Sequence, residues 1–312
     1  MITLNTMTPK SPITGSNNVI LEKEIPISLI IDEYKNGLNI DVKSFFKSIE
    51  NISIFKCIDT GYRFYSPFNT AGDDKFYQEI EKFPWYYMNN KWEHIIASNY
   101  VNKGNKVLEI GCARGSFLQT LKDKGAIVEG LEMNSDAART CTNSGISVKT
   151  DSIEKFSLNN PNKYDMVCSF QVLEHVPEVK NFIQSSLSVL KPGGLMIISV
   201  PNNDSIIFQS NKISLNMPPH HMGLWDINSL IKLQKYFDMY VESVHLEPLQ
   251  EYHSGYAMKL AYKNIETKLR KRIGFITKFI MPISRRIACT GVSAVTKFII
   301  GHSVLIVFRK NE

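Results

Sequence analysis

The sequence predicts an α/β fold: a doubly wound, mostly parallel sheet with a small N-terminal extension and a helical insertion before the last strand. Between residues 106 and 200, short apolar runs alternate with helical segments of about ten residues, which is the pattern of βαβ units. The first apolar run ends in a glycine turn that leads into a helix. Because the runs show little polar alternation, the strands are expected to be covered on both faces, as in a parallel sheet between two helix layers.

The individual elements follow in chain order. Apolar and β-branched runs predict strands at Lys106–Ile110, Ile127–Leu131, Ser147–Lys149, Tyr164–Phe170 and Leu195–Val200. Helical spacing predicts helices at Ser116–Lys124, Asn134–Ser144 and Pro177–Leu190. Gly145 closes the second of these helices, and Lys191-Pro-Gly-Gly194 ends the third. Further along, the sequence predicts a helix at Asp226–Phe237 and strands at Tyr240–Leu246 and His302–Phe308.

The chain is expected to divide into four parts. Residues 1–18 are polar and predict a flexible tail. Residues 19–75 predict a small hairpin and helix extension, with a helix at Val42–Ile49 and strands at Ile52–Ile58 and Tyr62–Tyr65. Residues 76–254 and 301–312 form the predicted core, which opens with an aromatic-rich helical stretch from Phe76 to Val101, and residues 255–300 form a basic helical insertion.

Composition excludes several classes of protein. Hydrophobic residues make up 43% and charged residues 21%, which is ordinary for a folded domain. The five cysteines form no Cys-x-x-Cys pair, so neither a disulfide framework nor a zinc ribbon is expected, and a reducing cytoplasm fits the chain. Residues 1–18 lack the apolar stretch of a signal peptide, and no uncharged apolar run reaches the length of about 18 residues that spans a bilayer.

The strongest functional signal is the turn Glu109-Ile-Gly-Cys-Ala-Arg-Gly115 after the first core strand. In an open parallel sheet, ligands bind at the carboxyl ends of the strands, where Gly111 and Gly115 would let a ligand approach the backbone. The glycine spacing is longer than that of the dinucleotide fingerprint, and Glu109 would repel a pyrophosphate. The pattern therefore favours a cationic amino-acid nucleoside over a nicotinamide cofactor.

Two acids follow at the ends of the next strands. Glu132, at the end of the second strand, could accept hydrogen bonds from both hydroxyls of a ribose. Asp151, beside Ser152, follows the third strand and could contact an adenine amino group. A solvated surface carboxylate is the alternative interpretation for each acid.

At these blocks the sequence resembles the class I S-adenosylmethionine-dependent methyltransferases, over roughly residues 76–250 and the last strand. The resemblance rests on four blocks that occur in order: Leu108-Glu-Ile-Gly-Cys-Ala-Arg-Gly115, Gly130-Leu-Glu-Met-Asn134, Tyr164-Asp-Met-Val-Cys-Ser-Phe-Gln-Val-Leu-Glu-His-Val176, and Leu190-Lys-Pro-Gly-Gly-Leu195 with Val200-Pro-Asn202. It implies a seven-stranded Rossmann-like sheet and S-adenosylmethionine as the cofactor. The residues that it places around the cofactor are Glu109, Gly111, Cys112, Gly115, Glu132, Met133, Asp151, Ser152, Phe170 and Gln171. One departure is Ala113, where the family usually has a glycine, so an extra methyl group is expected near the methionine moiety.

A narrower resemblance is to methyltransferases of bacterial cell-surface sugar and glycan clusters. It rests on Cys57-Ile-Asp-Thr-Gly-Tyr-Arg-Phe64 with Pro67, on Trp85-Tyr-Tyr87 through Lys91-Trp-Glu93, and on Pro219-His-His221. It implies methylation of a sugar hydroxyl, on a nucleotide- or lipid-linked acceptor, in polysaccharide biosynthesis.

Three histidines are candidates for the base that removes the hydroxyl proton. His175 follows the fourth strand, at the edge where the cofactor is expected, and an imidazole has a pKa near 7 without any shift. His220 and His221 lie in a loop over the same edge. Orientation of these loops by the histidines is the alternative. Although Glu174 adjoins His175, no set of three or four ligands at metal-site spacing is evident, so a metal is not expected.

The aromatic residues before the core are open to two interpretations. Tyr87, with Trp85, Tyr86 and Trp92, could form a lid over the cofactor, in which case Tyr87→Phe should weaken cofactor binding. Packing is the alternative, since aromatic side chains at helical spacing usually face a core.

The insertion at 255–300 carries ten basic residues and one acid, Glu266. It could cap the substrate site with a solvated basic face, lie on anionic lipid at the inner membrane face, or bind phosphate groups. Nucleic acid is not expected, because no RNA-binding motif accompanies the charge.

The alternatives to this function are a cofactor-binding scaffold without turnover, a nicotinamide-dependent dehydrogenase, and a methyltransferase that acts on nitrogen or carbon. The glycine spacing disfavours the dehydrogenase. The sequence does not predict an oligomeric state.

Overall fold

A computed structural model of the protein describes residues 8–83, 86, 88, 91–209, 214–255, 259 and 299–312. Its strands are β1 (Val19–Pro26), β2 (Asn51–Cys57), β3 (Arg63–Ser66), β4 (Lys106–Ile110), β5 (Ile127–Leu131), β6 (Ser147–Lys149), β7 (Tyr164–Phe170), β8 (Leu190–Pro201), β9 (Gly223–Leu224), β10 (Met239–Pro248) and β11 (Ile300–Lys310). Its helices are α1 (Ile27–Leu38), α2 (Asp74–Ile80), α3 (Trp92–Ser98), α4 (Ser116–Asp123), α5 (Ser135–Asn143), α6 (Ile153–Ser157), α7 (Val179–Val189) and α8 (Ile227–Lys232).

The central sheet has seven strands in the order β10-β11-β8-β7-β4-β5-β6. The pairs β4–β5, β4–β7, β5–β6 and β7–β8 are parallel, whereas β11 is antiparallel to both of its neighbours. The order runs outward from β4 in both directions, so the sheet is doubly wound, as predicted. Consequently the carboxyl ends of β4, β5, β7 and β8 lie at one edge, and the loops that follow them meet there.

Alternate residues of a central strand pack against different helix layers, as β8 shows. On β8, Ile198 packs in a cluster with Phe182 of α7, whereas the adjacent Ile197 packs with Phe117 of α4. Both isoleucines are at most 1% exposed. This two-sided burial explains the continuous apolar run in the sequence, and each isoleucine side chain contributes roughly 1.5–3 kcal/mol to folding.

The N-terminal extension is more than a hairpin. Its sheet has the order β1-β2-β3-β9, and β9 comes from the segment predicted to belong to the core. Arg63 pairs with Leu224 and Phe64 with Gly223, so β9 covers the edge of β3 that would otherwise be unpaired. The predicted boundary at residue 75 is therefore crossed by main-chain hydrogen bonds.

Residues 8–18 are packed, in contrast to the predicted flexible tail. Ile13 is 1% exposed within the main core, and the Ser16 hydroxyl donates to the Asp59 carboxylate at 2.8 Å. The amide of Lys180 donates to the carbonyl of Pro12. A single buried isoleucine in a polar segment produces no periodic pattern, so this packing could not be predicted from the sequence.

Two predicted helices differ from the structure. The stretch Phe76–Val101 holds two short helices, α2 and α3, and Pro84 between them disfavours helical backbone at the preceding residue. Val42–Ile49 holds a 3-10 turn at Lys43–Phe46. Most of the basic insertion, including 260–298, lies outside the described residues, and no helix within the described ranges is long and apolar enough to cross a membrane.

Candidate active site

The turn between β4 and α4 is built around glycines with left-handed backbone. Gly111 has φ +75° and Gly115 has φ +78°, a region that side chains other than glycine rarely adopt. A Cβ on Gly111 would lie 2.5 Å from Cγ2 of Val172, and one on Gly115 would overlap Sγ of Cys141. The turn therefore packs against the loop after β7 on one side and against α5 on the other.

Glu132 ties this turn to the end of β5. One of its carboxylate oxygens accepts the amide N–H of Ala113 at 2.8 Å, and the other accepts the amide N–H of Asn134 at 2.8 Å. Ala113 itself has φ +46°, so the residue that replaces the usual glycine keeps the left-handed conformation. Burial raises the pKa of Glu132. A carboxylate has about four acceptor positions, so the two backbone bonds leave capacity for ribose hydroxyls.

Glu109 is the buried acid inside the end of β4. Its side chain is 4% exposed, and among the described residues Oε2 has no hydrogen-bond partner. Burial raises its pKa well above the usual range of a glutamate. A buried carboxylate oxygen without a partner is costly unless a donor or a cation meets it. The orphaned oxygen and the glycine turn thus fit a ligand with a cationic amino-acid part, such as S-adenosylmethionine.

Three other predicted cofactor residues lie near the ends of β4 and β7. Cys112 is buried, and its amide donates to the carbonyl of Leu131, while Phe170 packs edge-on against Phe117 at 5.0 Å. Both side chains therefore pack in the core beside α4. Gln171 has φ +57°, and its side-chain amide points toward Glu93 and Ser303.

Of the four remaining predicted residues, Asp151 and Ser152 have evident structural roles. Asp151 pairs with Lys155 at 2.5 Å, and Ser152 caps the N-terminus of α6. Met133 is 70% exposed. Tyr87 lies outside the described residues, so its proposed place in a lid stays a prediction.

The three predicted histidines come together in one cluster. The ring centroids of His175 and His220 are 4.5 Å apart, those of His175 and His221 are 4.9 Å apart, and the rings of His220 and His221 stack at 4.5 Å. Burial lowers the pKa of His175 to about 4 and those of the other two well below the usual value. At neutral pH all three imidazoles are therefore uncharged.

Backbone contacts hold this cluster in place. The amides of Met222 and Gly223 both donate to the carbonyl of Glu174, which joins the histidine loop to the loop after β7. From α1, the Tyr34 hydroxyl donates to the carbonyl of Met217 at 2.8 Å. The N-terminal extension thus supports the loop that carries His220 and His221.

Several groups around the cluster were not predicted from the sequence. The Tyr77 hydroxyl lies 3.3 Å from Nδ1 of His175, and the Tyr86 hydroxyl lies 3.4 Å from Nε2 of His220. Glu174 is 1% exposed, and burial raises its pKa to about 8. The block Leu-Glu-His-Val carried a signal for Glu174, whereas Tyr77 was indistinguishable from a core aromatic.

The fold also corrects the expectation that no metal-ligand set converges. One ligand atom from each of His175, His220 and His221 lies within 4.8 Å of the others. Sequence spacing did not show this, because 45 positions separate the first histidine from the pair. The set forms only when the loops after β7 and before β9 meet.

These features indicate a class of protein. A doubly wound sheet that carries a glycine turn and two acids at its carboxyl edge is typical of S-adenosylmethionine-dependent methyltransferases. The chain belongs to the methyltransferase domain family, whose sequence model matches residues 85–244, just over half of the chain. S-adenosylmethionine is accordingly the cofactor.

Curated relatives include enzymes named ubiquinone biosynthesis O-methyltransferase. The one from Proteus mirabilis is 27% identical over 180 residues, which cover 49% of this chain and 73% of that protein. The one from Pectobacterium carotovorum is 27% identical over 203 residues, covering 57% and 82%. A solved structure of a SAM-dependent methyltransferase from Archaeoglobus fulgidus has a TM-score of 0.48 and 19% identity, and the alignment covers 76% of this chain and 100% of that one. None of these three names refers to a glycan.

Proposed function

We propose that the protein transfers the methyl group of S-adenosylmethionine to a hydroxyl oxygen of a small-molecule acceptor. The observation that carries this proposal is the position of the histidine cluster beside the glycine turn. Val172 lies against Gly111, and His175 follows three residues later in the same loop. A hydroxyl that accepts a methyl group must lose its proton, so it requires a base next to the methyl donor. An atom that is already nucleophilic does not require one.

When bound, S-adenosylmethionine supplies an electrophilic methyl group, so the chain's own task is alignment and proton removal. His175 directs Nδ1 at the carbonyl of His220 over 2.6 Å. This bond places the proton of the neutral ring on Nδ1 and leaves a lone pair on Nε2. Nε2 of His175 would then accept the proton of the acceptor hydroxyl as that oxygen takes the methyl group.

A sugar hydroxyl is the acceptor that we favour, on a nucleotide- or lipid-linked glycan precursor. Support comes from the narrower resemblance to cell-surface sugar methyltransferases, in which Pro219-His-His221 takes part. The relatives named for ubiquinone biosynthesis favour a second candidate, an intermediate of that kind of pathway. Contact of residues 255–300 with an anionic membrane would suit a lipid-linked acceptor and is tested by salt-sensitive sedimentation with anionic vesicles.

The test combines binding with product analysis. Calorimetry with S-adenosylmethionine and, separately, with NAD should show binding of the former alone. Nucleotide-sugar and quinol-type acceptors are then incubated with the protein and cofactor, and the methylated atom is located by mass spectrometry and NMR. A product methylated on nitrogen or carbon, or cofactor binding without turnover on any acceptor class, would contradict the proposal.

His175→Ala probes the base directly. We expect turnover to fall by roughly 10²–10⁴-fold while the cofactor dissociation constant stays within about twofold, because the substitution removes the proton acceptor and leaves the glycine turn and its acids in place. The matched control is His245→Ala, since His245 bonds Tyr100 and Ser243 on β10, away from the cluster. Equal turnover in the two variants would remove His175 as the base.

A further inference from the structure

The histidine cluster, defined as His175, His220, His221 and Glu174, is an acceptor-rich site inside the protein. The two loop histidines are each 5% exposed and Glu174 is 1% exposed. Glu174 Oε1 lies 3.9 Å from Nε2 of His175 and 4.0 Å from Nε2 of His221, beyond hydrogen-bond distance. Among the described residues, neither carboxylate oxygen of Glu174 has a hydrogen-bond partner.

All three rings have Nδ1 directed at an oxygen. The acceptors are the carbonyl of His220 for His175 (2.6 Å), the carbonyl of Leu215 for His220 (3.0 Å), and the side-chain Oδ1 of Asn216 for His221 (3.1 Å). Since a carbonyl can only accept, Nδ1 carries the ring proton in each case. The lone pairs therefore lie on the three Nε2 atoms. A histidine whose Nδ1–H is bonded to a carbonyl is the usual arrangement of a metal-ligating histidine.

Few hydrogen-bond donors contact the Nε2 atoms or the Glu174 carboxyl group. Tyr86 is the one hydroxyl that contacts an Nε2 within the described cluster, at 3.4 Å from His220. Three Nε2 lone pairs lie beside the Glu174 carboxyl group, neither oxygen of which has a hydrogen-bond partner among the described residues, and a cation would satisfy this set of acceptors.

We propose that His175, His220, His221 and Glu174 bind a divalent first-row transition-metal cation. Three imidazoles and one carboxylate suit Zn²⁺, Mn²⁺, Fe²⁺ or Co²⁺ better than Mg²⁺ or Ca²⁺, which prefer oxygen ligands. With metal–ligand bonds of about 2.1 Å, ligand atoms in a tetrahedral site lie about 3.4 Å apart. The Glu174 oxygen lies 3.9 and 4.0 Å from two of the Nε2 atoms, and one ring nitrogen of each histidine lies within 4.8 Å of the others, so binding would require the ligands to move closer by about 0.5–1.4 Å.

This inference deepens the proposed function and rests on it for the role of the metal. A hydroxyl that joined the cation as a fifth ligand would lose its proton more readily, so the metal would hold and ionise the acceptor oxygen. In the metal-loaded protein the hydroxyl proton would leave to solvent and His175 would be a ligand, so the role of His175 as the base described above applies to the metal-free protein. Binding of the metal itself is independent of which acceptor is used.

Metal binding is tested on the full-length protein after treatment with a chelator and removal of the chelator. Calorimetry with ZnSO₄ and with MnCl₂ should show one equivalent bound with micromolar or tighter affinity for at least one of them. Loading with CoCl₂ should give the visible absorption of cobalt bound by nitrogen. Addition of the bound metal should also raise the thermal unfolding midpoint.

The ligand set is tested with His221→Gln and Glu174→Gln, which keep side-chain size and lose a ligand. Each should weaken metal binding at least 10-fold and abolish the cobalt absorption, with circular dichroism confirming the fold. His245→Gln, on β10, should leave binding unchanged. Absence of binding below millimolar metal, or equal binding by all variants, would overturn the proposal and leave a cluster held by a protonated Glu174.

The two proposals fail in different ways. If O-methylation proceeds at full rate in excess chelator and no metal binds, the metal site is refuted and the hydroxyl acceptor stands. If one equivalent of metal binds through these residues and the methylated atom is nitrogen or carbon, the ligand set stands and the proposed function fails.

Discussion

Gly115→Ala is expected to destabilise the protein by two separable effects. The left-handed backbone at φ +78° costs an alanine roughly 1–2 kcal/mol. The added Cβ would also overlap Sγ of Cys141 and lie 3.1 Å from Cδ1 of Ile146, both buried. Because overpacking of this kind costs about 1–3 kcal/mol, the free energy of unfolding should fall by about 2–5 kcal/mol in total.

Gly193→Ala separates the two effects. Gly193 has φ +69°, and an added Cβ meets nothing within 4 Å, so only the backbone cost of roughly 1–2 kcal/mol applies. The free energy of unfolding is measured for both variants by urea denaturation with linear extrapolation. Cys141→Ala in the Gly115→Ala background should restore part of the loss, since it removes the overlapping sulfur. Equal destabilisation by the two glycine substitutions, with no rescue, would refute the steric argument.

Two further outcomes are expected. Ala113→Gly should raise the free energy of unfolding by up to about 1 kcal/mol, because relief of the φ +46° backbone exceeds the added flexibility of the unfolded chain; urea denaturation checks this, and a loss of stability would contradict it. Glu247→Gln should flatten the dependence of stability on pH. Burial and the nearby Glu93 raise the pKa of Glu247 to about 7, so in the wild type its contribution is full below pH 4.5 and is lost as pH rises through 7, by at most about 3 kcal/mol. If plots of the free energy of unfolding against pH stay parallel for wild type and variant between pH 4.5 and 8, Glu247 is not the group responsible.

The parallel core was predictable because its signals are local. The run Leu195–Val200 is apolar at every position except Ser199, a pattern typical of a strand that is buried on both faces. Gly111 and Gly115 were predictable as well, since the turn between β4 and α4 is set by the residues within it. Glu109 could be placed at the ligand edge by its position in the strand alone.

The features that the sequence did not reveal depend on distant contacts. β9 has two residues and takes its conformation from β3, about 160 positions earlier in the chain. Ile13 is buried by elements that follow it in the chain, and the residues around it show no hydrophobic periodicity that would predict its burial. The convergence of His175 with His221 likewise depends on how two loops meet, which no local spacing encodes.

The pairing of β9 with β3 has a consequence for how this enzyme can be divided. The segment that carries His220 and His221 is held by Tyr34 of α1 and by the edge of β3, so the N-terminal extension stabilises it. A fragment that starts at residue 76 would lose the scaffold of the histidine loop, and it would also lose Ile13, Tyr62 and Phe64, which pack in the main core with Leu108 of β4. Such a fragment should therefore fail to fold on its own, because the N-terminal extension and the central sheet share one core and form a single unit of cooperative folding.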